Sequence, residues 1–162
     1  MKKTMLRAAM ALAASFVMVG ASADAFDDAT AARKVGDYVR AAQLYQVAAA
    51  QGDVLAQFNL GLMYDQGEGV IQNHAEAVRW YRKAAEQGDA QAHYNLGAIY
   101  AKGEGVQQDL VVAHMRFNLA WSLGSERART ASASVARFMT PLQIAQAQQM
   151  AARCKERNYK GC

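Results

Sequence analysis

The 162 residues are 52% hydrophobic and 20% charged, with 18 basic and 14 acidic side chains for a net charge of +4. That surplus does not describe a nucleic-acid binder, which needs a concentrated basic face. Three of the basic residues sit in the first seven positions instead.

Lys2, Lys3 and Arg7 precede an apolar run from Ala8 to Val19, followed by Gly20 and small residues that permit a cut after Ala23 or after Ala25. This is the pattern of a secretory signal. The run is shorter than the about 20 residues a membrane-spanning helix needs, so residues 1–25 are expected to be removed, with no membrane insertion afterwards. No Cys lies near the cut to carry a lipid. Loss of Lys2, Lys3, Arg7 and Asp24 takes the net charge from +4 to +2. The mature chain, 26–162, is expected to be periplasmic or secreted, monomeric, and large enough for one elongated core.

From Gln51 onward the chain repeats itself at an offset of 36. Gln51-Gly52-Asp53 returns as Gln87-Gly88-Asp89, Asn59-Leu60-Gly61 as Asn95-Leu96-Gly97, Tyr64 as Tyr100, and Gly67-Glu68-Gly69-Val70 as Gly103-Glu104-Gly105-Val106. A fixed period of this size marks a stack of supersecondary units, none of which buries its apolar face alone.

Each unit reads as two antiparallel helices. Asp53 and Asp89 stand where N-caps belong. Ala56, Leu60, Gly61, Met63 and Tyr64, with Ala92, Leu96, Gly97, Ile99 and Tyr100, recur at helical spacing as one apolar face. The Gly-x-Gly segments end these helices. Asn73 with Glu76 forms an expected capping box, and Asp109 caps the equivalent helix. Ala77, Tyr81, Ala84 and Ala85 face inward in one unit, and Ala113, Phe117, Ala120 and Trp121 in the next.

Upstream, Ala41, Tyr45, Ala48 and Ala49 sit 36 residues before their counterparts, with 27–34 as the partner helix. Downstream, a helix is expected over 125–139. Thr140-Pro141-Leu142-Gln143 then starts a last helix running to about Arg157. The expected organisation is an all-α stack: 26–50 an N-terminal cap pair, 51–86 and 87–122 full repeats, and 123–162 a C-terminal cap pair.

Cys154 and Cys162 are the only cysteines. In an exported chain they read as a disulfide, tying the tail to the last helix for about 2.5 kcal/mol of loop-closure entropy. Seven intervening residues rule out a C-x2-C metal or redox motif.

Candidate chemistry is sparse. The Gly-x-Gly turns lack the preceding strand and third glycine of a dinucleotide fingerprint, since Gln72 and Gln108 stand there. His74, His93 and His114 form neither an H-x3-H nor an H-E-x-x-H pattern, and no serine lies in a G-x-S-x-G elbow. No metal, cofactor or catalytic residue is therefore expected. His74 reads as a first-turn helix residue, and His93 as solvated or groove-facing. Trp121 departs from the repeat and is expected to seal the terminal unit, with an exposed anchor as the alternative.

These residues resemble the Sel1-like repeat, a relative of the tetratricopeptide repeat. Its pattern is matched by Ala90, Ala92, Leu96-Gly97, Tyr100, Gly103, Gly105 and Val106, and by Ala77, Trp80-Tyr81, Ala84-Ala85 and Gly88. Arg116 and Trp121 replace the equivalents of Trp80 and Ala85, a departure suited to a terminal unit. The resemblance covers about residues 26–157 and implies an α/α superhelical solenoid that holds protein or peptide partners in the bacterial envelope or outside the cell.

By the same resemblance, the variable positions of each first helix are the expected partner-binding residues: Gln57, Asn59, Gln66, His93, Asn95 and Lys102. Asn59 and Asn95 either bond a peptide backbone in both directions or bond only within the repeat. The alternative activity is that of a hydrolase or binding protein for cell-wall peptides or β-lactams. The cysteine-rich branch linked to β-lactam binding staples each repeat with its own Cys pair, and no such pairs exist here.

Overall fold

The computed structural model describes residues 24–162, so the expected export signal lies outside the described residues except for its last two. Within them the chain is all-helical, with no strand: α1 (24–34), α2 (Tyr38–Ala50), α3 (Val54–Gln66), α4 (His74–Ala85), α5 (Ala90–Lys102), α6 (Leu110–Ser122), α7 (Glu126–Ala136) and α8 (Pro141–Glu156).

Local chemistry sets the helix ends. Asp53, Asp89 and Asp109 accept from the backbone N–H groups of Ala56, Ala92 and Val112 at 2.7, 2.6 and 2.9 Å, satisfying donors the first turn leaves free. Thr140 and Gln143 form both halves of a capping box, at 3.2 and 2.8 Å. The Asn73 box is only half formed. Asn73 accepts from Glu76 N at 3.1 Å, but the Glu76 carboxylate turns to Arg79 at 2.8 Å and the Asn73 N–H goes to Tyr64 O.

Successive helices from α2 to α7 each pack on the next. Within each unit the aromatic residue of the second helix lies on a glycine of the first. A Cβ on Gly61 would stand 2.7 Å from the Tyr81 ring, and one on Gly97 the same distance from the Phe117 ring. Phe58 and Tyr94 close over these rings at centroid separations of 5.8 and 5.4 Å. The units are joined by the second glycine of each Gly-x-Gly turn. A Cβ on Gly69 would overlap the Tyr38 carbonyl, and one on Gly105 would lie 2.6 Å from His74 Cβ. Each turn is thus pressed against the start of the preceding second helix.

The C-terminal end departs from the expected cap pair. α8 packs on α6 and makes no substantial contact with α7. Its Ala147, Ala151 and Cys154 meet Met115 and Leu119, while Ala128 of α7 meets Phe117 and Ala120 on another side of α6. The physical reason lies in α7, whose only buried residues are Ala128 and Ser132. Such small side chains offer little apolar area to a second helix. Beyond α8 the Cys154–Cys162 disulfide is formed, with the Cα atoms 5.7 Å apart.

The Gly61–Tyr81 contact leaves no room for a methyl group. Gly61→Ala should lower the unfolding free energy by about 1–3 kcal/mol. Combined with Tyr81→Leu, the loss should fall short of the sum of the single losses by at least about 0.5 kcal/mol. Urea denaturation of the four proteins checks both values, and strict additivity would remove the contact from the account.

Candidate partner-binding face

The first helices of successive pairs present one side to solvent. On α3, Leu55, Asn59, Leu62 and Gln66 fall on a single helical stripe, and Gln91, Asn95, Ala98 and Lys102 are their counterparts on α5. All eight are exposed or half-buried, with Leu55 53% exposed. Neighbouring helices extend the face. Arg33 of α1 donates to Asn59 Oδ1 at 3.3 Å and pairs with Glu68 Oε2 at 3.0 Å. Arg127 of α7 donates to Gln91 Oε1 and lies 3.9 Å above the Tyr94 ring. The row therefore runs α1, α3, α5, α7, stitched at both ends by an arginine.

Its loop edge carries Asp65, whose Oδ1 lies 2.9 Å from His74 Nδ1, and an apolar hollow of about 410 Å³ lined by Ala101, Leu110, Val135 and Phe138. Phe138 is 80% exposed there. Apolar rungs between amide groups suit an extended polypeptide, which offers alternating side chains and backbone polar groups.

The six expected contact residues divide. Gln66 and Lys102 are exposed, with Lys102 3.6 Å from Glu104 in a solvated pair of little energetic weight. Asn59 is half-buried and engaged within the chain, its amide donating to Leu55 O at 2.8 Å while Arg33 donates to its oxygen. Asn95 is half-buried beside the Tyr81 hydroxyl. Burial pushes that hydroxyl's pKa well above the ordinary tyrosine value, the Asp65 carboxylate adds to the rise, and the Asn95 amide opposes it.

Gln57 and His93 are corrections, because neither reaches the face. Both lie two residues from the stripe, on the opposite side of their helices. Gln57 is buried, donating to Ala49 O at 3.1 Å and accepting from Gln87 at 2.9 Å. His93 is wholly buried, its Nδ1 3.4 Å from Arg116 Nη1. Burial first and the Arg116 charge second lower the His93 pKa to about 3, against an opposing contribution from the Ala85 backbone. Arg116, 3% exposed, is itself drawn down to about 10 by burial and stays charged at neutral pH.

Trp121 is also corrected. It is 48% exposed and lines a groove with Gln148 and Lys155 instead of sealing the unit. The sequence reading also missed Arg33, Arg127 and Phe138. Nothing in the repeat pattern marks the arginines, since both lie in capping helices, while the exposed Phe138 follows from the end of α7.

The nearest approach to a catalytic array is Ser132 Oγ donating to Asn118 Oδ1 at 2.8 Å, with Asn118 Nδ2 3.0 Å from His114 Nδ1. An amide separates hydroxyl from imidazole, so no base takes the serine proton. Burial lowers the His114 pKa.

The His93 value makes a pH prediction. Its folded pKa lies below the unfolded 6.5, so between pH 6.5 and about 3 the unfolded chain binds more protons and stability falls as pH falls. The slope should approach 1.4 kcal/mol per pH unit. Denaturation curves taken from pH 7 to pH 4 should show a shallower acid loss for His93→Gln than for the parent chain. Parallel losses in the two proteins would mean that His93 is free to charge in the fold.

The chain matches the family model described as the Sel1 repeat over residues 30–53, 54–89 and 90–115, together more than half of its length. It is similar to a protective antigen of uropathogenic Escherichia coli displaying an SLR fold: TM-score 0.81 and 30% identity over 85% of this chain and 30% of that one. It is also similar to a Sel1 repeat protein from Oxalobacter formigenes, with TM-score 0.58 and 34% identity over 72% of this chain and 55% of that one. The chain thus spans about a third and about half of the lengths of these two proteins. Among curated proteins none matches significantly. Three matched repeats, built on the helix pairs and glycine–aromatic contacts described above, make this chain a member of the Sel1 repeat family.

Proposed function

We propose that this chain is an exported, non-enzymatic scaffold that holds a protein or peptide partner in the bacterial envelope or outside the cell. The observation that carries the reading is the outward stripe of amide and apolar side chains that α3 and α5 both carry, flanked by Arg33 of α1 and Arg127 of α7. Sel1 repeat proteins are in general protein-binding scaffolds. In the proposed mode Leu55 and Leu62 take apolar side chains of an extended segment. Gln66, Gln91 and Asn95 meet its backbone, and Arg33 and Arg127 hold the flanking helices in place. The antigen character of the Escherichia coli relative supports a location outside the cytoplasm.

Loss of binding on Leu55→Asp/Lys102→Glu tests the face. Both side chains are exposed, so the fold should survive. Capture of an envelope protein by chain 24–162 should drop at least tenfold in the variant at unchanged circular dichroism. Undiminished capture would move the partner to another surface. Hydrolysis of a chromogenic β-lactam, lost on Ser132→Ala, would overturn the non-enzymatic reading.

Export carries its own prediction. Ala25 is buried against the α1–α2 core with Ala29 and Ala32, so a cut after Ala23 preserves that packing and a cut after Ala25 removes it. The intact mass of the exported protein should begin at Asp24. A mass beginning at Phe26, or at Met1, contradicts this.

A further inference from the structure

Successive first helices meet along three seams, α1 with α3, α3 with α5 and α5 with α7. The stacked rings beneath them set a common register: Phe26 on Tyr45, Phe58 on Tyr81 and Tyr94 on Phe117, at 5.7, 5.8 and 5.4 Å. The α1–α2 turn has three residues against seven in α3–α4, so a position on α1 matches the one 32 later on α3, and α3 matches α5 at 36. Thr30, Leu62 and Ala98 are then equivalent, as are Arg33, Asp65 and Ala101. Across the three seams they face Asn59, Asn95 and Ala131.

The first seam is closed by the chain's own groups. Thr30 Oγ1 lies 3.1 Å from the Tyr45 hydroxyl, and Arg33 donates to Asn59 Oδ1 at 3.3 Å while pairing with Glu68 at 3.0 Å. The third seam has Phe117 and alanines at these places, so nothing polar there needs a partner. The middle seam is neither closed nor apolar. Leu62 stands where the threonine would be, and the hydroxyl of the fully buried Tyr81 has no hydrogen-bond partner among the described residues. The Asn95 amide lies beside that hydroxyl but misses hydrogen-bond geometry. A buried hydroxyl left unbonded costs stability, which a group from outside the chain can restore.

The charge of the middle seam is also reversed. Asp65 occupies the place of Arg33, half-buried, with His74 Nδ1 holding its Oδ1 at 2.9 Å. Burial raises the Tyr81 pKa and the Asp65 carboxylate adds to the rise, which places that charge close to the hydroxyl. Lys102 and Glu104, the next charges along the seam, pair with each other at 3.6 Å.

We propose that the seam between α3 and α5 binds an arginine side chain of the polypeptide partner, in the place that Arg33 holds in the first seam. A guanidinium carries five N–H donors in one plane and no acceptor. The Asp65 carboxylate, Asn95 Oδ1 and the Tyr81 hydroxyl oxygen are the acceptors it would meet. Their first-seam counterparts are spent: Asn59 on Arg33, and Tyr45 on Thr30. A partner carboxylate would meet Asp65 as a like charge. The assignment rests on the partner face proposed above and names the side chain that face reads. Asn95 keeps its Nδ2 donors for the partner's backbone.

The test titrates chain 24–162 with the peptide acetyl-Leu-Ala-Arg-Ala-Leu-amide and with its citrulline counterpart, which keeps the shape and loses the charge. Amide NMR shifts report binding. The arginine peptide should bind at least tenfold more tightly than the citrulline peptide and should shift the Asn95 side-chain amide. Asp65→Asn should remove the preference. Asp65→Arg, which installs the first seam's own closure, should abolish binding of the arginine peptide. Tyr81→Phe should leave the thermal midpoint unchanged or raise it, whereas Tyr45→Phe, which breaks the contact with Thr30, should lower it. Failure of both peptides to bind, equal binding of the two, or a preference that survives Asp65→Asn would each overturn the assignment. So would a fall in midpoint on Tyr81→Phe as large as that on Tyr45→Phe. If the two peptides bind alike and Leu55→Asp/Lys102→Glu weakens both, the face stands without its arginine seat.

Discussion

The contact on which the rest of the molecule depends is an aromatic ring lying on a glycine. Tyr81 covers Gly61 and Phe117 covers Gly97 at distances that exclude a methyl group, so the two helices of a unit approach as closely as their backbones allow. Close approach fixes the angle of the pair, and Phe58 and Tyr94 then fill the wedge beside each ring. A second glycine at each turn does the same between units, where Gly69 and Gly105 press the loop against the preceding helix start. With both spacings set by glycine, the stack has little freedom to slide. The first helices fall side by side, and their outward stripes merge into one face.

A frame fixed by backbone contacts tolerates substitution elsewhere. Positions 57 and 93 share a place in the fold, yet one holds an amide bonded at both ends and the other a neutral imidazole. Positions 80 and 116 share another, occupied by an indole in one repeat and a guanidinium in the next. Trp80 draws Arg79 and Lys83 over its ring at 5.0 and 4.6 Å, while Arg116 brings its own charge into the interior. Desolvation holds His93 neutral beside that charge, so the pair carries one positive charge and not two.

The proposed partner face is of another kind. Its asparagines and arginines are partly spent on holding neighbouring helices together, as Arg33 does through Asn59 and Glu68. The groups left for a partner are then Leu55, Leu62, Gln66, Gln91, Asn95, Ala98 and Lys102, with Phe138 at the edge. Recognition by such a surface rests on shape and apolar contact first and on charge second.

Much of this was legible in the sequence, because period and capping are local properties. The 36-residue offset, the Asp53, Asp89 and Asp109 caps, the Thr140–Gln143 box and the glycine-ended helices depend on residues a few positions apart, and each stands where the spacing placed it. The cysteine pair formed its bridge for the same reason, only eight positions separating its members. The burial of Gln57 and His93 was not legible. The stripe that separates them from Asn59 and Asn95 is a matter of rotation about the helix axis, decided by which neighbour packs where. Nor could the pattern show α8 leaving α7 for α6, which follows from how much apolar area α7 offers and α6 leaves uncovered. Local hydrogen bonding and periodicity determined the helices and their pairing. Competition among distant surfaces for burial decided which polar side chains went inside, His93 and Arg116 among them.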